Sequence, residues 1–523
     1  MFRPCLLAIA LFCACGDESA DSSAGSGAAS SAGSGAASGT GGQAQGGEYS
    51  YPAPDAWGPN AGPGGPAVAF DASELYQNCA FLDGGPASDI DHHNLQLMYD
   101  GYLLMPWAPE TGDGGLTFFD VSDPCHPVSV GVGTSGKMRE SHSIGFSQIG
   151  GRWAVVDSIE NEFISDAGGI LFWDVSDPTQ PAPVTTLELP GFFYPDAYAR
   201  VTLSVFWQAP YVYVGGADNG VFIVDATDPS QPSLVTQYPI EPTMRVGQVQ
   251  VIGNLLVVTT AEGPRTLLLD VSDPAQPQPI AGGDFDATDE SGMPRGAYFT
   301  NTTNGFVFYA NKDAGGGLVV WDIHDPTQPS FAGDFITPGN GGYVFVKDQF
   351  AFVGQSDFAS LFDISNLGSI EEVTTLDLIG DLDTIVPIGN VAVLSVDESA
   401  TSNQGSAIAP WQTDVDTQAP HVTWVWPPSG STGLALTSRF GVTFSEFVDV
   451  RSAWEGSVRL YESVTRAPVM GHVSTQETIV NFWPEAPLAP NTEYTFEIPA
   501  GGIVDYNGNA ITEAFTATFT TGG

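Results

Sequence analysis

Basic side chains are scarce in this chain, so their placement is informative. Of 523 residues, 14 are Lys or Arg and 61 are Asp or Glu, a formal net charge of −47. Nine of the cations lie between residues 50 and 416, and four of those, Arg139, Arg200, Arg245 and Arg295, each stand just ahead of an apolar stretch. Arg200 and Arg245 precede the Asp of a recurring motif by 25 residues, and Arg295 and His93 precede theirs by 27. A planar guanidinium suits carboxylate and sulfate groups. A shared position for these residues therefore predicts one of two things. They brace neighbouring acids such as Glu140, Glu241, Asp381 and Asp383, or they form a mouth that binds anions. His92, His93 and His142 fall at the same places. Ser141 and Ser143 flank His142, but neighbours along a strand point to opposite faces, and no carboxylate is placed by sequence to orient the imidazole. The stretch GVGTSGK at 131–137 has the spacing of a phosphate loop, yet Met138 stands where Ser or Thr should hold magnesium. No catalytic set, metal-ligand cluster or cofactor motif is expected.

The elements that must position these residues announce themselves by repetition. The chain reads LTFFDVSDPCHP, GILFWDVSDPTQP, GVFIVDATDPSQP, TLLLDVSDPAQP, GLVVWDIHDPTQP and SLFDISNLG. The motif Asp falls at 120, 174, 225, 270, 322 and 363, with spacings of 54, 51, 45, 52 and 41. Periods of this length mean one supersecondary unit per repeat. Continuous apolar residues ahead of the Asp mean a strand covered on both faces. The Asp accepts N–H groups two residues on, and Asp-Pro presets a turn, so the motif ends one strand and reverses the chain. In the second repeat, four strands are expected near 143–148, 153–156, 170–173 and 184–189. No segment has helical periodicity. The fold class is therefore all-β, a seven-bladed β-propeller of four-stranded blades followed by a β-sandwich. Six blades, or eight with the N-terminal segment as a partial one, stay open. First strands line the channel of a propeller, so the arginines should gather at one mouth. Trp173 and Trp321 are expected between sheets.

The segments GLVVWDIHDPTQP (317–329) and GVFIVDATDPSQP (220–232) resemble the LVIVD repeat of exported bacterial and archaeal proteins. The resemblance spans roughly 90–415. It implies a propeller and an extracytoplasmic setting, and it supplies no catalytic residues. The pattern changes at about 417, where Phe440, Val442 and Phe444 alternate, as do Tyr494, Phe496 and Ile498. With Val442-Thr-Phe-Ser-Glu446 and Leu488-Ala-Pro-Asn-Thr-Glu-Tyr494, this tail resembles the SbsA-type bacterial Ig-like domain. Such domains serve as spacers or adhesion modules. Asp505-Tyr-Asn-Gly-Asn509 starts like a calcium loop but lacks the distant Glu, which favours a hairpin turn.

Residues 1–14 read as a lipoprotein signal peptide, a basic start followed by a short apolar core. Phe12-Cys-Ala-Cys15 resembles a lipobox, with Cys15 as the lipidated residue; an ordinary signal peptide cut nearby is the alternative. Residues 15–50, rich in Ser, Gly and Ala, cannot bury a core and form a flexible tether. The propeller is then placed at 66–416 and the Ig-like domain at 417–523. In an export compartment Cys79 and Cys125 are expected to pair. The strong negative charge excludes nucleic acid as a partner. The expected protein is exported and lipid-anchored to an outer membrane or cell surface, and it binds a protein or a carboxylate- or sulfate-bearing glycan. An enzyme acting on an anionic polysaccharide or small anion is the alternative.

Overall fold

The computed structural model describes residues 80–82 and, from 95 to 523, all but 109–112, 125, 139–140, 160–167, 193–201, 313–314, 397–404 and 413. The leader, Cys15, the tether, Cys79, Cys125, His92, His93, Arg139, Glu140 and Arg200 lie outside the described residues.

Each repeat folds as the motif requires. In the second, the strands are Ile144–Ser147, Trp153–Ile159, Gly168–Asp174 and Ala182–Leu189, paired antiparallel in chain order. The third strand is buried along its apolar run and ends on the motif Asp, while the fourth is mostly exposed. Asp174 accepts the N–H of Ser176 at 2.9 Å. Asp177 then accepts both the N–H and the hydroxyl of Thr179, at 2.9 and 2.7 Å. Those bonds, with a further one from Gln180, hold the Asp177 carboxyl below its usual range. The first bond recurs at Asp120, Asp225, Asp270, Asp322 and Asp363, each to the residue two positions on. The motif is a turn.

Among the described residues, seven four-stranded sheets of this kind lie between 80 and 410. Their packing closes a ring. Phe172 and Trp207 join the second sheet to the third, Val320 and Val346 the fifth to the sixth, and Phe352 and Leu394 the sixth to the seventh. Met98, Leu103 and Phe119 of the first sheet then pack on Ile388, Val393 and Ile408 of the last. Trp173 is fully buried in a cluster linking the first and second sheets, and Trp321 stacks on Phe285 of the neighbouring sheet at 4.9 Å. Among the described residues, the segment before the first repeat begins no blade of its own. Ala80–Leu82 instead pairs with Ser406–Pro410 and supplies the outer strand of the last sheet, so that chain start and chain end are stitched together. This device leaves no unpaired seam in the ring.

Gly131 and Gly133 have a packing role instead of a phosphate-binding one. They lie on the outer strand Val128–Ser135, and a Cβ on Gly131 would fall 2.1 Å from the Pro178 carbonyl in the next motif turn. Gly333 likewise receives the Leu367 carbonyl, at 1.9 Å from where its Cβ would be.

The C-terminal region forms two more four-stranded sheets. One contains Val422–Trp426, Phe440–Phe444, Ile479–Pro484 and Gly471–Gln476; the other contains Pro468–Val469, Arg459–Glu462, Glu493–Ile498 and Phe515–Thr520. Phe440, Phe482, Phe496 and Phe519 fill the space between them. Asp505 accepts the N–H groups of Asn507 and Asn509 at 2.9 and 2.8 Å, the turn expected there.

This sandwich covers one end of the ring, where first strands hand over to second strands. The hairpin tip at 476–478 reaches Val205, Gln250, Asn301 and Thr303. Asn481 receives the Gly253 N–H at 2.7 Å, and Arg439, 1% exposed, donates to Gln208, Tyr213 and the Val271 carbonyl. Asp100 is held between Arg152 of the ring and Arg451 of the sandwich. Phe447 meets Phe345 edge-on at 5.5 Å.

Candidate functional site

The sandwich covers one end of the axis, and the predicted arginines belong to the opposite end, where first strands begin. Two local irregularities shape it. In the strand Gly296–Thr303, Ala297 opposes Asn311 and Thr300 opposes Tyr309, so Tyr298 and Phe299 together face Ala310. A bulge of this kind re-aims side chains. Both aromatic rings are buried in the cluster that joins the inner edges of the sheets. Val246–Ile252 carries the same irregularity at Gly247 and Gln248.

Around these rings the charged groups are arranged in a chain. Arg245 donates to Glu262 at 2.6 Å, and Lys312 lies 3.8 Å from the other oxygen of the same carboxylate. The Lys312 ammonium stands 4.4 Å above the Tyr298 ring, a cation–π arrangement. Tyr298 meets His142 edge-on at 6.2 Å, and Phe299 lies 5.4 Å from the same imidazole. Tyr343 stacks on Phe299 at 4.1 Å, and its hydroxyl donates to the His142 carbonyl. The second, fourth, fifth and sixth sheets thus meet at one place. Aromatic side chains fill the axis from here toward Phe345 and Phe447.

His142 has an orienting carboxylate after all. Asp157, at 1% exposure, accepts from the His142 and Ser143 N–H groups and lies 3.0 Å from the His142 Nδ1. The sequence conceals this because the two residues meet across a hairpin, fifteen positions apart. The adjoining hydroxyls face elsewhere. Ser143 exchanges bonds with the backbone of Val205, and Ser141 donates to the Ser143 carbonyl. No nucleophile stands beside the imidazole among the described serines of this strand.

Among the described residues, the two described arginines pair with Glu262 and Asp289. Arg245 uses Glu262, on the same sheet. Arg295 is buried and directs Nε and one terminal nitrogen at Asp289, at 2.9 and 2.7 Å. Burial works against the Asp289 charge, but Ser291, Arg295 and the Met293 N–H outweigh it and hold the carboxyl at about 2. Through this pair Arg295 braces its own loop. Sequence reasoning missed Asp157, Glu262, Lys312 and the Tyr298–Phe299 bulge. Only Lys312 left a trace there, as one of the nine scarce cations.

Three buried carboxylates, Asp416, Glu446 and Asp505, also converge, with ligand oxygens within 4.8 Å of one another. The Lys347 ammonium occupies the approach to two of them, bonded to Asp416 and Glu446. Burial raises the Glu446 carboxyl, and the surrounding carboxylates hold Lys347 charged against its own burial. The lysine is the cation of this junction.

Comparison with known proteins agrees with the architecture. Residues 111–132, 204–239 and 305–337 match the LVIVD repeat, and 416–521 match a bacterial Ig-like domain. Similar solved structures include a protein from Lactobacillus plantarum, at 12% identity, covering 54% of this chain and 84% of that one, TM-score 0.44. The periplasmic gluconolactonase of Pseudomonas aeruginosa is 13% identical, covering 57% and 85%, TM-score 0.44. The WD40 β-propeller domain of Doa1 is 12% identical, covering 64% and 97%, with the same TM-score. No curated protein matches the chain. The chain is thus built of LVIVD repeats on a propeller-type ring, closed at one end by a bacterial Ig-like domain.

Proposed function

We propose that the protein is a non-catalytic binding module, anchored through a lipid on Cys15, whose ring mouth opposite the sandwich takes an anionic group of a protein or glycan. One observation carries this reading. Arg245 and Lys312, two of the few cations in a chain of net −47, converge on the carboxylate of Glu262 beside Tyr298. Both cations are about one-fifth exposed, within reach of a ligand. Such a field attracts carboxylates or sulfates that the remaining surface repels. The paired His142 and Asp157 favour the second reading, an enzyme acting on an anionic polysaccharide or small anion, because an oriented imidazole is what a general base needs.

Calorimetric titration of the exported chain with tetragalacturonate tests both. Arg245→Ala and Lys312→Ala should each weaken binding about tenfold, the scale of one charged contact, and added salt should weaken it further. Affinity unchanged in both variants would refute the mouth. Cleavage of the oligomer that vanishes in His142→Ala would move the balance to the enzyme. A lipid label that persists in Cys15→Ser would remove the anchor.

A further inference from the structure

A second recess lies away from the axis, at the seam between ring and sandwich. Its volume is about 360 Å³, within the range of pockets that hold small ligands. Phe306 and Phe308 of the fifth sheet form its apolar side, together with Ile364 and Leu367 of the sixth. Asn304 and Asp348, the turn residues of the two sheets, stand at its rim with φ of 55° and 52°. The left-handed backbone at these turns fixes where the two polar side chains sit. Gln418, His421, Thr423 and Ser445 complete the opposite wall from the sandwich.

The polar groups divide into two sets. One set holds the seam. Asp348 N–H donates to the Ser445 carbonyl, Asn304 N–H to the Thr443 hydroxyl, and the Thr423 hydroxyl to the Thr443 carbonyl. The other set is exposed, and among the described residues makes no hydrogen bond within the protein: the side chains of Gln349 and Gln418 and the imidazole of His421. Each presents both donor and acceptor capacity in one planar group. They line the same recess as the half-buried ring of Phe306.

We infer that this recess binds the end of a neutral saccharide. An aromatic face receives the apolar face of a sugar ring, and planar amides bridge adjacent hydroxyls as both donor and acceptor. The charge of the site rules out the alternative of a second anion site. No Lys or Arg is among its lining residues, and the Asp348 carboxylate shares the one Lys347 ammonium, at 3.3 Å, with Asp416 and Glu446, so the surroundings stay negative and disfavour an acidic ligand. The recess therefore complements the ring mouth and does not duplicate it, and it stands whether or not the mouth binds anions.

Saturation-transfer NMR on the exported chain, with maltotriose, cellotriose and N,N′,N″-triacetylchitotriose as probes, decides it. At least one should receive magnetisation from the protein. Gln349→Ala and Gln418→Ala, both at exposed side chains that the fold does not use, should each reduce affinity about fivefold, the worth of one hydrogen bond. Phe306→Ala should abolish the signal. Arg245→Ala at the ring mouth should leave it unchanged, which separates this site from the other. Absence of transfer to all three sugars would overturn the inference. So would binding that survives both glutamine substitutions, or that is lost with Arg245.

Discussion

At the scale of single residues, the least ordinary group is Glu477. It sits at the tip of a sandwich hairpin with φ of 57° and is 6% exposed, and among the described residues its carboxylate is met by the amides of Gln250 and Asn301. Amides stabilise the charge less than a cation would, and the Thr478 hydroxyl beside it donates to Thr303. Burial accordingly pushes the carboxyl up to about 7, against the two hydrogen bonds. The sign of the consequence follows from linkage. An acid whose folded value is raised keeps its proton longer in the folded state, so stability is full below the unfolded value of 4.5 and is lost as pH rises toward 7. Two and a half pH units correspond to roughly 3 kcal/mol. Asp449, pushed up by burial to about 6, adds to the same trend. Glu477→Gln keeps both amide contacts without the charge. Its melting temperature should therefore vary less between pH 5 and 8 than the wild type's and exceed it at pH 8. Parallel pH profiles for the two proteins would show that Glu477 ionises without cost.

At the scale of elements, the ring depends on how each outer strand accepts the next sheet's turn. Gly333 lies on Ser330–Thr337 and leaves no room for a methyl group against the Leu367 carbonyl. Gly333→Ala must push the two sheets apart, at a cost of about 1–3 kcal/mol typical of overpacking. Gly368→Ala, in the same turn, meets nothing closer than 3.5 Å and serves as the control. Denaturant melts should separate the two variants, and equal midpoints would mean that the seam yields freely. This level of structure was the most legible in the sequence, for a physical reason. A strand covered on both faces must be apolar throughout, and an Asp-Pro turn is specified by adjacent residues, so 143–148, 153–156, 170–173 and 184–189 matched strands to within a few positions. The site was less legible because its pairs cross hairpins. Nothing near Arg245 marks Glu262, and nothing near His142 marks Asp157. The bulge at Tyr298 and Phe299 depends on what the inner edge must pack against, which no local pattern encodes.

At the scale of the whole molecule, the sandwich, of a kind expected as a spacer or adhesion module, packs on the ring as a lid. The junction is made of groups that neither part could leave uncovered. Arg439 carries a charge into the third and fourth sheets with only neutral acceptors, Gln208, Tyr213 and the Val271 carbonyl, and lies 5.4 Å from the Tyr211 ring. Lys347 and Asp100 on the ring side are neutralised by Glu446, Asp416 and Arg451. Separating the parts would leave these charges and amides without their partners or return them to water, together with Phe345 and Phe447. Ring and sandwich should therefore unfold as one cooperative unit. Arg439→Ala tests this, because it touches only the junction. Removing the guanidinium takes the charged donor from the buried Val271 carbonyl and leaves Gln208 only a long bond from Tyr213, a loss of about 2–3 kcal/mol. In scanning calorimetry the wild type should show a single transition, and the variant a single transition at lower temperature. Two transitions in the wild type, or a shift confined to one of them in the variant, would mean that the lid is independently hinged and that the covered end of the ring opens.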